Sequence, residues 1–267
     1  GYPVGKVNTL DLFPLSFREF LDATGNIMFR KLLDSRDTCS MKSFAPKITT
    51  FLRQYYVVGG MPAAVDAFVQ GAEFSEVRKI QSDILEGYQR DFAKHAPYRM
   101  LPRMMEAWES IPSHLSQENR KFIFGHIRKG ARAKDYEEAL TWLIQAGLII
   151  RVPRVSKPGF PLASYNDHKS FKVFLLDVGL LGAMSELEPT AIVNGNAVFT
   201  EFKGALTEQY VCQQLISDCD EAPFYWSAEN SIGEIDFLVH DSDRIVAIEV
   251  KAEENLKSKS LRAFKEK

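Results

Sequence analysis

Three acids and one lysine carry the chemistry this sequence offers. In the stretch Gly233–Lys251 two short runs alternate. Ile235, Phe237 and Val239 interleave with Glu234, Asp236 and Leu238; Ile245, Ala247, Glu249 and Lys251 interleave with Val246, Ile248 and Val250. Period two over two runs, joined by the polar Asp241–Arg244, predicts a β-hairpin. With that loop His240 pairs with Ile245, and Asp236 falls opposite Glu249. Glu249 and Lys251 flank Val250 and leave the same face of the strand. Carboxylates held side by side repel each other, and a hard divalent cation such as Mg²⁺ offsets that repulsion with oxygen ligands of this kind. A lysine beside such an ion can hold a phosphate oxygen or orient an attacking water. The set is coherent for phosphodiester hydrolysis. Its competitor is a surface hairpin whose Glu249–Lys251 pair is solvated and contributes little.

Glu208 is the third acid. It lies in the helical pattern Gly204–Ile216, with Ala205, Val211, Cys212 and Leu215 at neighbouring helical spacings, so its face is largely apolar. A carboxylate turned toward a core needs a partner or a metal; a helix-edge glutamate reaching water is the alternative. Phe224–Ser227, between helix and hairpin, reads as a strand.

Helix with Glu208, strand, then Asp236 and Glu249-Val250-Lys251 on a hairpin resembles the core of the PD-(D/E)xK nuclease superfamily. More closely, the chain resembles the C-terminal region of prokaryotic ATP-binding AAA-family proteins that carry a domain of unknown function. The stretches that carry this likeness are Leu12–Leu21, Tyr56–Pro62, Asp83–Tyr88, Phe171–Leu181 and Gly233–Phe237. The resemblance implies Mg²⁺ held by Glu208, Asp236 and Glu249, with Lys251 stabilising developing charge. It also implies an ATPase domain upstream, whose tail would be Gly1–Lys6. Gly5-Lys6-Val7 lacks the spacing and the hydroxyl of a phosphate-binding loop, so ATP is expected only in that upstream domain. The superfamily follows the hairpin with a helix and a further strand. Ala252–Lys267 reads as the helix alone, so the nuclease-like domain is expected to be cut short.

At 267 residues the chain is long enough for two or three domains. A net charge of −2 gives no global field to draw in nucleic acid. Cys39, Cys212 and Cys219 form no CxxC and suggest no disulfide framework. Without a signal peptide or an apolar run of spanning length, the expectation is a cytoplasmic protein with no membrane partner.

The elements fall into three parts. Residues 1–100 read as a helical linker region, with Phe17–Ala23 capped by Ser16 and Glu19, Lys47–Val57, Ala63–Gln70 after the break at Gly59-Gly60, and Ser75–Lys94. Residues 101–185 read as a winged helix-turn-helix: helices Leu101–Ile111, Gln117–Lys129 and Lys134–Ala146, then strands Leu148–Val155 and Leu162–Tyr165 as the wing. Phe171–Leu176 adds a strand, and Asp177 caps the helix Val178–Met184. Residues 186–267 read as the nuclease-like domain. The fold class is therefore α+β. The third helix of the middle part points Asp135, Glu137 and Glu138 outward, which disfavours base readout. Arg120, Lys121, Arg128, Lys129, Arg132, Arg151, Arg154 and Lys157 surround it and could hold a nucleic-acid backbone. Three functions stay open: a metal-dependent phosphodiesterase coupled to an ATPase, a non-enzymatic coupling module with protein partners or self-association, and a DNA-binding protein.

Overall fold

A computed structural model of the chain describes residues 10–117, 120–195, 197–219, 221–228 and 233–252, with 197–201 described by backbone alone. The expected Gly1–Lys6 tail and the helix after Ala252 lie outside the described residues. α1 (Phe17–Ala23) begins with a reciprocal cap: the Glu19 N–H donates to Ser16 Oγ at 3.3 Å, and the Ser16 N–H donates to the Glu19 carboxylate at 2.7 Å. α2 (Ile27–Ser35), α3 (Thr38–Ser43), α4 (Ala45–Val58), α5 (Pro62–Val69) and α6 (Phe74–His95) complete the helical half. Pro62 occupies the first turn of α5, where its missing N–H costs nothing. Then come α7 (Leu101–Glu109), α8 (Ile111–Leu115), α9 (Phe124–Ile127) and α10 (Ala133–Gln145). β1 (Ile149–Val155) and β2 (Asn166–Leu175) follow, then α11 (Val178–Met184), α12 (Pro189–Asn194), α13 (Ala197–Ser217), β3 (Phe224–Ser227), β4 (Glu234–Asp241) and β5 (Arg244–Ile248).

The strands form one mixed sheet in the order β2-β1-β3-β4-β5. β1 runs parallel to β3, while β1–β2, β3–β4 and β4–β5 are antiparallel. The architecture is thus α+β, and strands from the middle of the chain share a sheet with the C-terminal hairpin.

Two expected elements are corrected. Only Phe124–Ile127 of Gln117–Lys129 is helical among the described residues. Arg120 is left-handed at φ 49°, Lys121 bridges Lys172, and the Phe122 N–H donates to the Phe171 carbonyl at 2.9 Å. Backbone pairing with β2 has overridden local helical pattern there. Leu162–Tyr165 is a 3₁₀ turn, not a strand, and the return strand starts at Asn166.

A buried polar knot fastens the helical half to the sheet. Asp177, before α11, accepts the Gly60 N–H at 2.6 Å, the Leu180 N–H at 2.9 Å and Gln213 Nε2 at 3.0 Å. Gln209 pairs with both the N–H and the carbonyl of Leu175, and Gln81 donates to the carbonyls of Val57 and Val58. Gly59 has φ 70°, and a Cβ there would run into the Asp177 carboxylate; glycine meets both demands.

Candidate functional site

β2, α13, β3 and β4 converge on one ammonium group. Lys172 is a single cation in the apolar run Phe171–Leu175, and its side chain is 0% exposed. Its Nζ lies 2.6 Å from Glu234 Oε1, 3.7 Å from Glu208 Oε2 and 3.8 Å from Asp236 Oδ1. The Tyr225 ring centre is 5.1 Å away. Burial disfavours the charge, but Glu208, Glu234 and Asp236 outweigh it and hold the ammonium above the usual lysine range.

Glu208 projects from α13 and is held on its other oxygen by Arg120. Gly204 makes that approach feasible. It sits one turn before Glu208, and a Cβ there would press on the Arg120 guanidinium at 2.7 Å. Burial first, and then the Asp236 and Glu234 charges, push the Glu208 carboxyl up to about 7, against the pull of Lys172 and Arg120. Glu208 Oε2 is buried without a hydrogen bond.

The hairpin ladder runs from Asp241↔Arg244 through His240↔Ile245 to Phe237↔Ile248 and stops there. The next step, Asp236 opposite Glu249, lies beyond the ladder. Asp236 instead accepts the Val250 N–H on Oδ2 at 2.8 Å, and Lys251 Nζ lies 2.5 Å from Glu249 Oε1. A register shift contributes to this arrangement. Phe224↔Leu238 is followed by Trp226↔Ile235, so two steps on β3 span three on β4. Strict alternation along β4 is lost: Ile235 and Leu238 join a small cluster with Val155, Leu162 and Trp226, while Phe237 and Val239 enter the main core.

A family model described as "Domain of unknown function (DUF8612)" matches residues 49–191, and one described as "Domain of unknown function (DUF4143)" matches 203–267. The first covers more than half of the chain. The chain belongs to the DUF8612 family. DUF4143 is known as a C-terminal region of ATPase-associated proteins. No curated protein and no solved structure matches the chain.

The DUF8612 boundaries divide the ionic cluster by sign. Lys172 and Arg120 come from the DUF8612 segment, whereas Glu208, Glu234 and Asp236 come from the DUF4143 segment. The Asp177 knot crosses the same junction, with Gly60 and Asp177 on one side and Gln209 and Gln213 on the other.

Of the four residues singled out in sequence, Glu208 and Asp236 meet around Lys172, while Glu249 and Lys251 pair with each other. Lys172 and Glu234 were missed as site residues. Lys172 did carry a signal, because a lysine inside an apolar strand must find partners when buried. Several wing cations are committed within the chain: Arg120 to Glu208, Arg128 to Glu106, and Arg154 to Asp167 and Ser227. Glu137 and Glu138 are exposed on α10. Among the described residues no helix is long and apolar enough to cross a membrane.

Proposed function

We propose that this chain is a non-enzymatic coupling module of an ATPase-associated protein, in which the DUF4143 segment is locked onto the DUF8612 segment. One observation carries this reading: the cations of the first segment neutralise the carboxylates of the second across their junction. The Asp177 knot at the same junction would let a force or rotation pass between helical half and sheet without slippage. In this reading the middle part, with its winged-helix likeness, packs and transmits rather than reading bases. Its partners are proteins, an ATPase domain foremost.

The nuclease-like reading requires Mg²⁺ at Glu208, Asp236 and Glu249, and the donor set does not suit that ion. Mg²⁺ demands oxygen ligands at about 2.1 Å in near-octahedral array. Here an ammonium stands between Glu208 and Asp236, Arg120 holds one Glu208 oxygen, and Lys251 holds one from Glu249. Among the described residues no group of three His, Cys, Asp or Glu is placed to hold a metal.

The test is a Mn²⁺-dependent cleavage assay on single-stranded and duplex DNA, beside melting curves in Mg²⁺ and in chelator. The coupling reading expects no cleavage and coincident melts. Cleavage that disappears in Asp236→Asn would overturn it.

A further inference from the structure

Pro153 has no N–H to give to a ladder, and strands accommodate such a residue at a bulge. The β1–β2 pairing shifts there: Pro153↔Phe171 is followed by Arg154↔Asp167, so one step on β1 spans four on β2. Residues 168–170 are thrown outward. His168 and Lys169 form one lip of a groove of about 330 Å³ between α10 and the β1–β2 pair. Its floor is the buried Leu140, Phe171 and Val173. That volume lies in the range of small-molecule sites, which combine apolar walls with a few polar groups.

Charge is distributed unevenly around the mouth. Arg151 and Lys169 stand on the sheet side. The Arg151 guanidinium lies 4.2 Å from the Phe171 ring centre and donates to the His168 carbonyl at 3.0 Å, which fixes it over the floor. Neither cation has a carboxylate partner among the described residues. Glu137 and Thr141 form the opposite lip on α10.

We propose that this groove binds a small amphipathic monoanion: a carboxylic acid whose body is a short alkyl chain or a single aryl ring. The carboxylate meets Arg151 and Lys169, whose fork and point charge suit it. The apolar body covers Leu140, Phe171 and Val173. Glu137 across the mouth opposes a second negative charge, which selects against dianions and phosphates.

The probe is 4-phenylbutyrate, titrated calorimetrically into the intact chain beside its neutral counterpart 4-phenylbutan-1-ol. A charge-assisted hydrogen bond is worth about tenfold or more in affinity. The acid is expected to bind at one site at least about tenfold more tightly than the alcohol. Arg151→Ala removes that preference, and Thr141→Trp, at the exposed lip, blocks both ligands. Lys157→Ala, a wing cation outside the groove, changes nothing. Melting curves of each variant without ligand establish that it is folded. Equal binding of acid and alcohol, undiminished binding in folded Thr141→Trp, or no saturable heat would each overturn the proposal. So would a short peptide with an apolar free C-terminus that binds at least about tenfold more tightly than phenylbutyrate, because the groove would then belong to a protein terminus.

Discussion

The Asp177 knot and the Lys172 cluster cross the same junction, yet they solve the burial of charge differently. Asp177 is fully enclosed, and burial raises its carboxyl above the usual range. It is met by neutral donors of fixed geometry, two backbone N–H groups and a glutamine amide. The Lys172 cluster is met by opposite charge at ranges from 2.6 to 3.8 Å, and Glu208 Oε2 is left without a hydrogen bond. Directional bonds specify one arrangement of α11 against α4 and α13. Charge neutralisation specifies only that the cations and the acids remain close. The knot is therefore the rigid joint, and the cluster is the one that responds to conditions.

The largest effect belongs to the knot. Asp177→Ala strands three buried donors, each costing about 1–3 kcal/mol, so a loss of about 5 kcal/mol is expected in chemical denaturation. A loss below about 1 kcal/mol would mean that the donors find water and that the joint is not rigid.

Lys172→Met comes next, at about 4 kcal/mol, because it removes the cation that Glu208, Glu234 and Asp236 share and leaves Arg120 alone beside Glu208. Adding Glu208→Gln should recover roughly half of that loss. If the double variant is no more stable than the single one, the cluster is held by packing around Lys172 rather than by charge.

The pH dependence separates the two sites further. The Glu208 carboxyl titrates at about 7 in the fold against an ordinary 4.5. Between those values the folded chain holds more protons than the unfolded chain, so stability falls as pH rises through the window and is greatest below it. The span corresponds to about 3 kcal/mol at most. Denaturation midpoints from pH 4.5 to pH 7 should show this decline, and Glu208→Gln should flatten it. The raised Asp177 carboxyl acts in the same direction, and a falling slope that survives in Glu208→Gln but disappears in Asp177→Asn is assigned to the knot.

What was legible in the sequence follows from the range of the forces. Local signals placed α1 with its capping box, the cap of α11 by Asp177, the break at Gly59-Gly60 and the hairpin register from His240 to Phe237, while Asp241 and Arg244, expected in the loop, pair with each other. Gln117–Lys129 misled because its apolar spacing is helical, yet the segment pairs with β2, a partner about 50 residues away that no local pattern reveals. Glu208 and Asp236 were visible as acids in apolar settings. Lys172 was passed over because it came from another part of the chain, and only the shared sheet brings it to them.

The smallest effect tests the comparison most sharply. Lys251 is 41% exposed and touches Glu249, whose other oxygen is buried without a hydrogen bond. The pair is open to solvent on the lysine side, where water replaces the ammonium beside Glu249 Oε1, so the exposed lysine contributes little. Lys251→Ala should therefore cost about 1 kcal/mol or less and leave the pH profile of Glu208 unmoved. In a coupling module nothing else changes, because Lys251 plays no part in the neutralisation across the junction. In a phosphodiesterase the order reverses: stability is untouched, while Mn²⁺-dependent cleavage falls by orders of magnitude with loss of the cation that faces developing charge. The variant, melted and assayed side by side with Lys172→Met, thus distinguishes a lysine that holds two segments together from one that serves a reaction.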